Sequence, residues 1–166
     1  RILGREAVLA GRAARAIVET AREQVAALVN ARPGEVVFTS GATEANTFAI
    51  NGRPWRALLV GNAEHSAVLA PARRSLGPRL ELPCRPDGVQ DLSGVEAWAA
   101  ALPKSDLPAF ASLALANGET GVVQPVADLV AMLSPFGIVV HSDAVQATGR
   151  PAHRPIRVRM KRQSFR

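Results

Sequence analysis

The stretch Glu35–Ile50, EVVFTSGATEANTFAI, decides how the chain is read. Glu35–Thr39 is apolar, β-branched and aromatic, the composition of a short buried strand. Ser40-Gly41-Ala42-Thr43 is a turn of small residues. Glu44–Ile50 then opens a helix, with Ser40 or Thr43 as its cap. A strand, a small-residue turn and a helix N-terminus make an anion site. Backbone N–H groups converge there, and the helix dipole adds about half a positive charge. Gly41 and Ala42 leave room for a phosphate to come close. An ordinary βα turn reads the same way, so the rest of the chain has to decide.

Outward from this stretch, helices and strands alternate. Glu6–Asn30 has a helical period, with Ile17, Ala21, Val25 and Leu28 on one stripe. Arg32-Pro33-Gly34 ends it. Beyond the opening stretch, Arg56–Val60 reads as a strand, Ser66–Leu76 as a helix and Arg79–Leu82 as a strand. Pro71 fits that helix only in its first turn. Leu92–Leu102 is a helix, and Ala109–Ala116, nearly all apolar, is a central strand. Pro125 stands at the first position of a helix that runs to about Leu133. Ile138–His141 is a fifth strand. The expected fold is α/β: three layers, with a mostly parallel sheet between flanking helices. In such a sheet the functional residues lie past the carboxyl ends of the strands.

Composition narrows the classes. The chain has 166 residues and is 48% hydrophobic, enough for a real core. No apolar run reaches the roughly 20 residues of a membrane span. The first residues do not form a signal peptide. The one cysteine, Cys84, fits a reducing compartment, hence the cytoplasm. His65, His141 and His153 are scattered, so no metal site is expected. The net charge is +6. Residues 150–166 hold seven basic side chains and no acid, leaving 13 basic against 14 acidic elsewhere. The tail has no aromatic platform beyond Phe165, and nucleic acid is not the expected partner.

Four strand ends carry polar groups: the Ser40–Thr43 turn, Glu64-His65, Asn117-Gly118-Glu119, and His141-Ser142-Asp143 with Gln146. Asp143 closes an apolar strand, where a carboxylate is costly unless paired. A protonated heterocyclic nitrogen is one such partner, and a helix-capping role is the other reading. His65 is either a site residue or a cap. Cys84, in Pro83-Cys84-Arg85-Pro86, reads as a bystander.

These segments, TSGATEAN (39–46), EHSAVL (64–69), NGETGVVQP (117–125) and HSDAVQATGR (141–150), resemble the cysteine desulfurases in order and spacing. That family belongs to the class V aminotransferases, on the large domain of pyridoxal-phosphate fold type I. The resemblance implies pyridoxal 5'-phosphate as cofactor and conversion of L-cysteine to L-alanine, with sulfur passed to an enzyme thiol. It implies that Gly41, Ala42 and Thr43 hold the cofactor phosphate. His65 would stack on the ring and move protons, Asp143 would pair with the ring nitrogen, and Gln146 would bond the phenolic oxygen. A homodimer and sulfur-acceptor proteins are the implied partners. A selenocysteine lyase, another class V enzyme, or a non-catalytic phosphate-ligand or partner-binding remnant are the alternatives.

Departures from the family pattern set further expectations. Gly118 stands where the family has an asparagine that touches the cofactor. The Schiff-base lysine, expected in a Ser-x-His-Lys segment, is matched by neither Lys104 nor Lys161. The catalytic cysteine belongs to a later part of the family, and Cys84 does not replace it. Residues 1–10 do not match, residues 11–150 match part of the cofactor-binding domain, and 151–166 form an unmatched basic tail. The expectation is a truncated or frameshifted fragment that is inactive by itself.

Overall fold

The computed structural model describes residues 5–147; the basic tail and Lys161 lie outside them. The described residues divide into two compact units, 5–38 and 39–147.

In the first unit, helix α1 spans Arg5–Leu28. Its apolar stripe is not buried: Ile17 is 70% exposed and Leu28 55%. A 3-10 turn follows at Pro33–Glu35. The strand expected at Glu35–Thr39 does not form. The Val36 N–H bonds back to Pro33 O, and the Arg22 guanidinium donates to the Val36 carbonyl. Arg22 also lies 5.1 Å from the Phe38 ring centre. Backbone groups satisfied by a turn and a side chain are not offered to a ladder. Val37 is 75% exposed, so burial does not favour a strand either.

The second unit is the α/β body. Its strands are β1 (Ala57–Gly61), β2 (Arg79–Leu82), β3 (Ala109–Ser112) and β4 (Val139–His141). They form one parallel sheet in the order β2-β1-β3-β4. The central strands β1 and β3 are buried along their whole length, as the apolar run at Ala109–Ala116 predicts for β3. The helices are α2 (Ala42–Asn51), α3 (Ser66–Arg74), α4 (Val95–Ala101) and α5 (Val126–Leu133).

Right-handed crossovers fix the layers. From β1 to β2 the chain steps one way across the sheet; from β2 to β3 and on to β4 it steps the other way. Helix α3 therefore lies on one face and α4 and α5 on the other. Packing agrees, since α2 meets α3 and α4 meets α5. Ile50, Leu58, Val60, Val68, Ala72 and Phe110 form the core on the α2–α3 side. Pro71 lies in the interior of α3 rather than its first turn. An interior proline costs about 3 kcal/mol in an isolated helix. Here Val68 and Ala72, both buried, pin the helix on either side of it. Gly137 has φ 68° after the 3-10 turn Ser134–Phe136, a left-handed position suited to glycine, and turns the chain into β4.

Candidate functional site

The step direction reverses between β1 and β3, which makes their carboxyl ends the switch point of the sheet. A cleft of about 630 Å³ opens there. Ala42 and Thr43 of α2 line it, with Glu64 and His65 after β1, Asn117–Thr120 after β3, and Asp143 and Gln146 after β4. The four polar strand-end segments read from the sequence thus meet on one cleft.

Helix α2 begins with Gly41, not Ser40 or Thr43, in the capping position. The first intrahelical bond is Ala45 N–H to Gly41 O. The N–H groups of Ala42, Thr43 and Glu44 precede it and have no acceptor within the helix. Space beside Gly41 is open: an added Cβ would meet nothing within 4 Å. Ser40 acts differently from the expected cap. Its N–H (2.6 Å) and hydroxyl (2.7 Å) both donate to Glu44 Oε2. These bonds hold the Glu44 carboxyl below its usual range and shape the turn ahead of the helix.

Asp143 is half-buried. Its Oδ2 accepts from Asn46 Nδ2 at 2.7 Å and its Oδ1 from the Val145 N–H at 3.0 Å. The second bond is the capping reading, made to a turn. The first was not foreseen, although Asn46 lies inside the quoted TSGATEAN segment. Its signal was a polar residue on the inward side of an apolar helix; Asn46 is 4% exposed. Asn46→Ala removes the carboxylate's charge-assisted donor. The expected cost is about 1–3 kcal/mol in denaturant unfolding. A loss below about 0.5 kcal/mol, the scatter of ordinary surface changes, would show that water replaces it.

His65 is both a cap and a cleft residue. It sits before the first residue of α3, and its Nδ1 accepts the Ala67 N–H at 3.1 Å. The neutral ring therefore carries its proton on Nε2. Gln146 also lines the cleft, beside Gly118. A Cβ added at Gly118 would lie 3.2 Å from Gln146 Cγ, so an asparagine there requires Gln146 to give way. Asn117 is not free to stand in for it. Its Oδ1 accepts from the N–H groups of Glu119 and Thr120, both at 2.9 Å, and shapes its own loop.

Glu64 is a second residue that sequence reading left without a role. It is 6% exposed. Burial pushes its carboxyl up to about 7, aided by the Asp143 charge and opposed by the Ala114 N–H and the Ser112 hydroxyl. Ser112 Oγ lies 3.4 Å from Glu64 Oε1 and 3.0 Å from His141 Nδ1. Burial lowers the His141 pKa, with Asp143 pulling the other way. The His141 ring stacks on Phe110 at 5.6 Å.

Cys84 is exposed and does not line the cleft; it contacts Asn62 and Gln90. Lys104 lies in a 3-10 turn before β3, outside the cleft lining. Among the described residues no cluster of His, Cys, Asp and Glu is arranged to hold a metal ion, and no helix is long and apolar enough to cross a membrane.

The chain is similar to known proteins. A curated cysteine desulfurase IscS of Dechloromonas aromatica is 41% identical over 150 residues, covering 84% of this chain and 36% of that protein. A solved NifS-like protein from Rickettsia africae superposes with a TM-score of 0.77 at 26% identity, over 85% of this chain and 39% of the other. SspA, solved in complex with cysteine, matches with a TM-score of 0.71 at 29% identity, over 84% and 41%. The chain thus spans about a third of the length of the curated relatives it matches. The family description "Aminotransferase class-V" matches residues 3–160. With that match running over nearly the whole chain, the chain belongs to the aminotransferase class-V family.

Proposed function

We propose that this chain supplies the cofactor-holding wall of a pyridoxal-phosphate-dependent cysteine desulfurase. The observation that carries the reading is the pairing, on one cleft, of an open helix N-terminus with a donor-held carboxylate. The donor set fits the cofactor at both ends. The unpaired N–H groups at the start of α2 and the Thr43 hydroxyl suit a phosphate, with Gly41 leaving it room. Asp143 suits a protonated ring nitrogen, and Asn46 and the Val145 N–H hold its carboxyl in place. A cleft of about 630 Å³ falls within the ordinary range for a small-molecule site.

Bound there, pyridoxal phosphate supplies an electron sink for a substrate carbanion. The chain's own residues do the rest of the holding. Asp143 keeps a proton on the ring nitrogen. Gln146 offers a donor to the phenolic oxygen. His65, with Nδ1 engaged by the Ala67 N–H, would have Nε2 left to exchange a proton in the cleft. L-cysteine as substrate, a homodimer, sulfur-acceptor proteins as partners and a cytoplasmic setting belong to the same proposal. The cysteine bound by the related SspA supports the substrate, and the single cysteine supports the compartment. None of these 166 residues matches the family's lysine or its catalytic cysteine, so the chain alone binds without turning over. Residues 11–150 are the cofactor-binding part of this reading.

Titrating the 166-residue chain with pyridoxal phosphate and following its absorbance tests the reading. Saturable binding is expected, unchanged by Lys104→Ala and Lys161→Ala. Asp143→Ala is expected to weaken it about tenfold or more, a loss of ~1.4 kcal/mol. No saturable change, or full affinity in Asp143→Ala, would overturn the assignment. Alanine and sulfide released from L-cysteine by the purified chain would overturn its inactivity.

A further inference from the structure

Two buried oxygens face one small cavity beneath the cleft. Glu64 and Gln90 are 6% and 2% exposed. Among the described residues, Glu64 Oε2 and Gln90 Oε1 have no hydrogen-bond partner. Both side chains line the same cavity of about 10 Å³, walled also by Gly61, Leu113, Ala114 and Asn117. That is room for about one water molecule.

The rest of each side chain is tied down. Gln90 Nε2 donates to Asn62 Oδ1 at 3.2 Å and to Cys84 Sγ at 3.0 Å. Turning the amide over would set its oxygen against the Asn62 oxygen, acceptor against acceptor. Glu64 Oε1 faces the Ser112 hydroxyl. When Ser112 donates to Glu64, His141 Nδ1–H donates to Ser112, and the chain of donors ends on the carboxyl.

Glu64 and Asp143 share the cleft but not its donors. Asp143 has two short bonds to N–H donors. Glu64 has one long one from the Ser112 hydroxyl and, beside it, the Ala114 N–H. The titratable groups around Glu64 are Asp143 and His141 at the β4 end, His65 at the start of α3, and Glu119 after β3. Cys84 stands beyond Gln90. Among the described residues no lysine or arginine lines the cleft or the cavity. Two carboxyls in one low-dielectric site separate into an anion and an acid, and the better-donated one keeps the charge.

We propose that Glu64 is a proton-holding positioning residue: its free oxygen donates through one water molecule to Gln90 Oε1. A neutral, water-seated Glu64 anchors the loop that carries His65 without placing a second anion beside Asp143. This assignment goes beyond the cofactor reading and stands whatever the cleft binds.

The test uses the 166-residue chain with 13C-labelled Glu and Asp carboxyls, titrated by NMR from pH 4 to 9 without cofactor. Glu64 is assigned through bonds from its backbone in the wild type, so the assignment needs no variant. Its midpoint is expected near 7, two to three pH units above an exposed glutamate at about 4.3. The Asp143 carbon is expected to show an inflection at the same pH, which Glu64→Gln removes. A cross-relaxation peak from a long-lived internal water to the Gln90 amide or the Ala114 N–H is also expected. A Glu64 midpoint in the ordinary carboxylate range overturns the proposal, and so does a dry cavity. An Asp143 inflection that persists in Glu64→Gln overturns the coupling between the two carboxyls.

Discussion

Phe110→Ala is expected to destabilise the α/β body by about 3–5 kcal/mol, the range for emptying a buried aromatic site. Phe110 is 2% exposed and is among the largest fully buried side chains. It sits on central strand β3 and packs into the cluster of Ile50, Leu58, Val60, Val68 and Ala72. Its ring centre lies 5.1 Å from that of Trp55 and 5.6 Å from that of His141. Truncation opens a cavity walled by the sheet, α2 and α3, and removes the surface on which His141 stacks. A domain's total stability is typically about 5–15 kcal/mol, so the loss is a large share. Phe48→Ala is the control. Phe48 is on α2 but 58% exposed, and its loss is expected to stay within about 0.5 kcal/mol. Urea unfolding monitored at the Trp55 fluorescence compares the two. A Phe110→Ala cost under about 1 kcal/mol would mean that the site collapses around the gap and that this ring does not hold the sheet to its helices.

The second large effect is a pH dependence with a definite sign. The Glu64 carboxyl rises from an ordinary 4.5 to about 7 on folding. The folded chain therefore binds this proton more tightly than the unfolded chain. The resulting stability is complete below about pH 4.5, falls as pH rises, and is gone above about 7. Across that window the shift corresponds to about 3 kcal/mol. His141 works in the opposite sense. Its lowered pKa means that folding resists its protonation, so its contribution is lost as pH falls below the ordinary histidine range. The wild-type curve contains both effects. Glu64→Gln keeps the shape and removes one of them. The wild-type minus Glu64→Gln difference in unfolding free energy, measured from pH 4.5 to 8, is expected to fall through the window and level off above it. A flat difference would mean that water reaches the carboxyl and the burial seen at Glu64 is not felt. Above pH 7 the variant also avoids a buried charge, so its relative stability is highest there.

Much of this was legible from the residues. Runs such as Arg56–Val60 and the nearly all-apolar Ala109–Ala116 read as strands. Gly, Pro and Asn punctuation places the ends of the elements. The polar groups after those strands had to share one edge, because parallel strands connected by helices all point the same way. The fold class and the cleft followed. The strand at Glu35–Thr39 did not, since its composition suits a ladder but its backbone groups are taken by Pro33 and Arg22. The cap on α2 also differed, because Ser40 turns to Glu44 instead of to the helix end.

What the sequence by itself determined was local: the alternation of helix and strand, the turns between them, and which residue types stand at the strand ends. These depend on periodicity and backbone preference over a few neighbours, and both are written into adjacent residues. Only the tertiary structure decided the order β2-β1-β3-β4 and the switch point between β1 and β3. It alone brought Asn46 to Asp143 across 97 positions, and it alone enclosed Glu64 with Gln90 against one cavity. Such pairings depend on which surfaces the whole chain buries together, and burial is what turns an ordinary carboxyl into one that keeps its proton.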